Sequence, residues 1–109
     1  MPLAVQEGTG VSERRRGWIR LGEADNVVVL THGVESGDVL RGPQDEHWTI
    51  DTRLTVGHKL AARAIADGET VFKGGVPIGV ATRSIASGEH VHSHNLRSRF
   101  IQAGGGGSG

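Results

Sequence analysis

The strongest constraint on how this chain can fold is a repeated octapeptide. Ala64-Ile65-Ala66-Asp67-Gly68-Glu69-Thr70-Val71 and Ser84-Ile85-Ala86-Ser87-Gly88-Glu89-His90-Val91 share the form small-I-A-x-G-E-x-V. A looser copy, Gly33-Val34-Glu35-Ser36-Gly37-Asp38-Val39-Leu40, precedes both. In each copy an aliphatic anchor leads into a glycine turn, an acidic residue and the start of a new strand. A spacing near twenty residues raises the option of a solenoid, but three short, imperfect copies suit a compact all-β fold better. The expected fold is therefore a small barrel-like or clip-like arrangement of short strands and glycine turns.

The remaining segments fit that expectation. Val27-Val28-Val29-Leu30 reads as a strand buried on both faces, and Trp18 to Leu21 alternates weakly. Val39-Leu40 is a short strand, and Thr49 to Thr55 alternates Ile50, Thr52 and Leu54 against polar neighbours. Gln44 to Trp48 is polar and reads as a surface excursion, with Trp48 covering an edge of the core. Gly74-Gly75 marks a turn, and Pro77 belongs at a strand start or edge because it donates nothing to a ladder. Val56 to Ala66 has the composition of the one plausible helix, although Gly57, Gly68 and the repeat argue against it. Residues 1–17 read as a flexible arm, 18–102 as one folded domain, and 103–109 as a Gly/Ser linker.

Charge and composition narrow the function. Twelve basic residues balance twelve acidic ones, and Arg14 to Arg16 is the only basic cluster, so a nucleic-acid partner is not expected. With no cysteine, disulfides and thiolate metal sites are excluded, which suits a reducing cytoplasm. No apolar run approaches the roughly 18 to 20 residues of a membrane span, so no membrane partner is expected and a cytoplasmic location is. Two Trp, two Phe and no Tyr argue against a large aromatic-walled pocket built by this chain alone.

The chemistry concentrates in Ser84 to Leu96. His90, His92 and His94 fall at every second position, so a strand here would carry all three imidazoles on one face and point Val91 inward. Asn95 ends the row and either fixes a ligand or turns the chain. Imidazole exchanges protons near neutrality and ligates metals when neutral. Three imidazoles without a carboxylate suit zinc or iron, with a further ligand supplied by another chain. The bland alternative is a solvent-facing polar row on an edge strand. A second group follows Gly57: Lys59 can hold a carboxylate as a point charge, and His58 can hydrogen-bond or move protons.

Three stretches together resemble a known family. G-H-K-L-A at Gly57 to Ala61, I-A-D-G-E-T-V-F-K-G-G-V-P-I-G-V-A-T at Ile65 to Thr82, and I-A-S-G-E-H-V-H-S-H-N-L at Ile85 to Leu96 look like the SAF domain of altronate/galactarate dehydratases. The resemblance covers roughly Trp18 to Phe100. It implies a β-clip fold and a part in water elimination from a sugar acid, with a divalent metal such as iron(II) and a larger catalytic subunit or domain as partner. On that pattern His92 and His94 are the expected catalytic residues and shared metal ligands, and Asn95, His58 and Lys59 the expected substrate contacts. The resemblance extends to the small subunit of sulfolactate sulfo-lyase, so sulfite is an alternative leaving group. A noncatalytic binding or assembly module, including a homo-oligomer paired through an edge strand, is the alternative of a different class. Gly74-Gly75 departs from the family pattern by lacking a side chain at that turn.

Overall fold

The computed structural model describes residues 16–98; the expected arm up to Arg15 and the expected linker lie outside the described residues. Among these residues there are nine short strands and no α-helix: β1 Trp18–Ile19, β2 Val27–Leu30, β3 Val39–Arg41, β4 His47–Thr49, β5 Lys59–Ala61, β6 Thr70–Lys73, β7 Val76–Ala81, β8 His90–Val91 and β9 Leu96–Arg97. They form three antiparallel sheets, ordered β1-β2-β5-β8, β3-β4 and β6-β7-β9. The all-β expectation holds.

The repeat builds this architecture through one device used four times. In each copy the turn glycine has positive φ, at Gly37 (96°), Gly57 (97°), Gly68 (86°) and Gly88 (84°), a conformation that carries little penalty only without a Cβ. The glycine N–H donates to a residue on another strand, whose own N–H returns to the carbonyl just after the glycine. The partners are Ile50 for Gly37 and Asp38, Leu30 for Gly57 and His58, Ala81 for Gly68 and Glu69, and Ala61 for Gly88 and Glu89. Aliphatic anchors pair across copies, Val34 with Leu54 and Ile65 with Ile85. The fourth copy, Leu54-Thr55-Val56-Gly57-His58-Lys59-Leu60, escapes the sequence pattern because histidine stands in the acidic position.

This fourth copy also settles the helix candidate. Val56 to Ala66 is a glycine turn followed by β5, since the Gly57 N–H is committed to Leu30 and strand pairing overrides local helix propensity. Two further expectations need correction. The polar stretch before Trp48 is not a surface excursion throughout: His47–Thr49 pairs with Val39–Arg41, and Trp48 is buried. Thr49 to Thr55 is not one strand; Ile50 and Leu54 are buried anchors on either side of an exposed loop at 51–53.

The central sheet divides two cores. Val28, Leu30 and Leu60 face a first core with Trp18, Trp48, Val34, Ile50 and Leu54, while Val27 and Ala61 face a second with Ile65, Val71, Ala81, Ile85 and Val91. β2 is therefore buried on both faces, as its unbroken apolar run requires. The indoles of Trp18 and Trp48 lie 6.1 Å apart, and each donates its N–H, to the Arg41 carbonyl and the Ser87 hydroxyl respectively. A Cβ at Gly88 would collide with the Trp48 ring, so this turn must be glycine for space as well as for φ.

The β6-β7 hairpin turns at Gly74-Gly75, both at positive φ as a type I′ turn demands. Pro77 sits near the start of β7 beside an irregularity in register, where its missing donor is tolerated. Two buried residues before β2 fasten this hairpin. The Asp25 carboxylate accepts N–H bonds from Gly22, Gly74 and Gly75 at 2.6–2.9 Å, and the Asn26 amide bonds the Thr70 carbonyl and the Phe72 N–H. Replacing Asp25 with Ala leaves three backbone donors without their acceptor. Asp25→Ala should cost about 2–3 kcal/mol in urea denaturation; an unchanged midpoint would mean the carboxylate does not hold the hairpin.

Candidate functional site

The histidine row is real as a cluster but not as a strand. β8 ends at Val91, and His92 to Asn95 form a turn. Fully extended, His90 and His94 would stand about 13 Å apart at strand rise; the turn returns the His94 ring to 5.6 Å from that of His90. Asn95 makes the turn. Its side chain is fully buried, accepts the His92 N–H at 3.0 Å and donates to the His90 carbonyl at 2.9 Å. Of the two roles open to Asn95 in the sequence, its amide is occupied by turning the chain.

His90 is the hub. Its ring stacks on His92 at 5.4 Å and 9°, and its Nε2 lies 3.0 Å from Nδ1 of His58. His58 arrives from the fourth repeat copy. In the other three copies the acidic side chain folds back onto its own turn: Asp38 accepts the N–H of Glu35, Glu69 that of Ala66, and Glu89 that of Ala86. His58 makes no such bond, and its imidazole reaches across to β8 instead. Strand pairing brings the two together, because β5 lies beside β8 with Leu60 opposite His90.

One nitrogen from each of His58, His90 and His92 lies within 4.8 Å of the others. Two neutral imidazole nitrogens 3.0 Å apart either share a hydrogen or point lone pairs at one ion. Ligand bonds of about 2.0–2.1 Å in a tetrahedral site put neighbouring nitrogens roughly 3.3 Å apart, so the His58–His90 pair would need little rearrangement to meet one ion. The donor set fits a divalent metal that accepts imidazole. The set combines His90 and His92 of the row with His58, while the His94 ring lies 5.6 Å from that of His90. His90 belonged to the three-imidazole row read from the sequence; the signal for His58 was its place in the acidic slot of a repeat.

Lys59 is next to His58 in sequence but not in this cluster. It pairs with Val91, on the opposite sheet face from Leu60 and His90. Burial, then the nearby Lys73 ammonium, pushes its pKa below the usual lysine value. His90 is pushed down to about 4, first by burial and then by the charges of His58, His92, His94 and Lys59. It is thus neutral near pH 7, the form that ligates a metal.

An open cleft of about 640 Å3 adjoins the cluster, with His90, His94, Trp48, Asp51 and Arg83 among its walls. The His94 ring is exposed and has no hydrogen-bond partner among the described residues, so it faces this space uncommitted.

The glycine-turn repeats build a small all-β clip domain, with imidazoles gathered where its last repeat ends. Residues 16–99 match the altronate/galactarate dehydratase SAF domain, and the chain belongs to that family. It is 42% identical to (2R)-sulfolactate sulfo-lyase subunit alpha of Chromohalobacter salexigens, over 71% of this chain and 89% of that subunit. Altronate dehydratases of Escherichia coli and Bacillus subtilis are 37% and 31% identical to it; the chain spans 17% of the length of each.

Two measurements test the site's construction. Asn95→Ala should lower stability by about 2 kcal/mol and, by NMR, separate the His90 and His94 ring signals' mutual contacts; retention of those contacts would refute the turn's dependence on Asn95. Because the folded pKa of His90 lies below its unfolded value, the unfolded chain takes up the proton first as pH falls. Stability should therefore decline from about pH 6.5 to about pH 4 and level off below, by on the order of 1 kcal/mol after solvent screening. Denaturation against pH with His90→Gln, which should flatten that slope, is the check.

Proposed function

We propose that this chain is the small, histidine-bearing component of a lyase acting on a 2-hydroxy acid, and that a larger catalytic subunit or domain completes its site. The single observation that carries the reading is the convergence of His58, His90 and His92 beside a cleft that His94 also lines. The cleft is open, and the chain's relatives occur as a subunit named alpha or as 17% of a longer dehydratase. Both facts support a partner that closes it. His58, His90 and His92 would hold a divalent metal, iron(II) being the expectation, which when bound supplies positive charge to stabilise an oxyanion.

Elimination from such an acid breaks the C–H bond next to the carboxylate and expels a group from the adjacent carbon. His94 suits the proton transfer: it is exposed to the cleft, and no described residue hydrogen-bonds its ring. His90 and His58 are engaged with one another, so they orient rather than exchange protons with a substrate. Asn95 acts through the turn, by fixing where His92 and His94 stand. Lys59, on the other sheet face, is not given a substrate contact in this mechanism.

One leaving group is water, from an altronate-type acid. Sulfite is the second, and the 42% identity across 89% of the sulfo-lyase subunit favours it.

Metal titration of the full chain tests the cluster: His58→Ala, His90→Ala and His92→Ala should each weaken cobalt(II) binding by roughly tenfold or more, and His94→Ala should not. Equal binding by all four would refute the ligand set. In complex with the large subunit, His94→Ala should abolish turnover while assembly persists; unchanged turnover would favour a pure assembly role. Parallel assays of keto acid from altronate and sulfite from sulfolactate assign the leaving group.

A further inference from the structure

The cleft contains a cation that the histidine chemistry does not use. Arg83 forms part of its wall, is exposed, and has no ion-pair partner among the described residues. Arg16, Arg41, Arg53 and Arg63 each lie within 4.0 Å of a carboxylate; Arg97, like Arg83, has no such pair among the described residues, but it is not on the cleft wall. The backbone that carries Arg83 is held at both ends. The Thr82 N–H donates to the Asn95 carbonyl at 2.9 Å, and Ile85 bonds Ile65 in both directions at 2.8 Å. Arg83 is therefore tied to the same turn that carries His92 and His94, and only its side chain is free to move.

The cleft wall also carries two carboxylates, Asp51 and Glu89, neither of them ion-paired with Arg83 among the described residues. The Glu89 carboxylate is engaged by the Ala86 N–H, and Asp51 makes no ion pair among the described residues. A planar guanidinium beside an open polar space is matched by a carboxylate, which it grips with two parallel hydrogen bonds. Asp51 offers acceptors to hydroxyl groups.

We propose that Arg83 binds the carboxylate of the hydroxy acid in this cleft, and so turns the carbon next to that carboxylate toward His94. The proposal deepens the lyase reading and rests on it. It moves carboxylate recognition from Lys59, on the opposite sheet face, to Arg83. Arg83 is a specificity-determining residue here: it selects the acid over the corresponding polyol and sets which end of the chain enters first.

The test is an NMR titration of the 15N-labelled full chain with D-altronate, with EDTA present so that the histidine metal chemistry is silent. Saturable shifts are expected at Thr82, Arg83 and His94. Arg83→Gln should weaken binding roughly tenfold, about 1.4 kcal/mol, and Arg83→Lys should keep part of it. Altritol, which lacks the carboxylate, should give no shifts, and equimolar sulfate should not displace the acid. Unchanged binding by Arg83→Gln, shifts that map away from the cleft, absence of saturable binding, or displacement by sulfate would each overturn the proposal. Since Arg83 is exposed, the variant's thermal midpoint should equal that of the parent chain, which keeps loss of binding apart from loss of fold. The cobalt titration reads the histidines alone, so failure of the ligand set and failure of Arg83 are separable.

Discussion

Everything in this molecule depends on a reciprocal pair of backbone hydrogen bonds between a glycine turn and a strand residue elsewhere in the chain. The pair occurs at Gly37, Gly57, Gly68 and Gly88. Its physical basis is simple: a positive-φ residue presents its N–H sideways out of a turn, and the carbonyl that follows lies beside it. An N–H and a carbonyl so arranged accept one residue of a partner strand as a ladder would, without needing a long strand. In a domain with little apolar surface to bury, this satisfies backbone groups at the ends of strands only two to six residues long.

The same device explains where the site lies. The central sheet has a core on each face, so its interior offers no room for polar side chains. The histidine cluster lies at an edge, where β8 stops after two residues. There the buried Asn95 amide substitutes for ladder bonds and folds the chain back, which brings the His92 and His94 rings to His90. His58 comes from the neighbouring strand because β5 and β8 pair.

Much of the fold was legible in the sequence. The repeat, the buried run at Val27 to Leu30, the Gly74-Gly75 turn and the role of glycine at position 88 all reflect local rules that tertiary contacts reinforce. What escaped was non-local. Nothing in a linear pattern announces that Asp25 and Asn26 will seize a hairpin fifty residues away, or that alternation from Thr49 to Thr55 will be cut short because Ile50 is claimed by Asp38. For the site, period-two spacing pointed to histidines that do lie close together, but their proximity comes from a bend, not from a shared pleat. Lys59 illustrates the converse, since adjacency to His58 in sequence puts it across the sheet.

His58 occupies the slot that carries a turn-locking carboxylate in the other three copies, and the N–H···O bond across its turn, 3.4 Å, is longer than the 2.9–3.0 Å of its counterparts. One copy of the scaffold thus lacks the side-chain latch of the others and sets an imidazole against His90 instead. An acid there would supply the latch of the other three copies and remove the imidazole that meets His90. The position is a fork at which rigidity and chemistry compete for the same side chain.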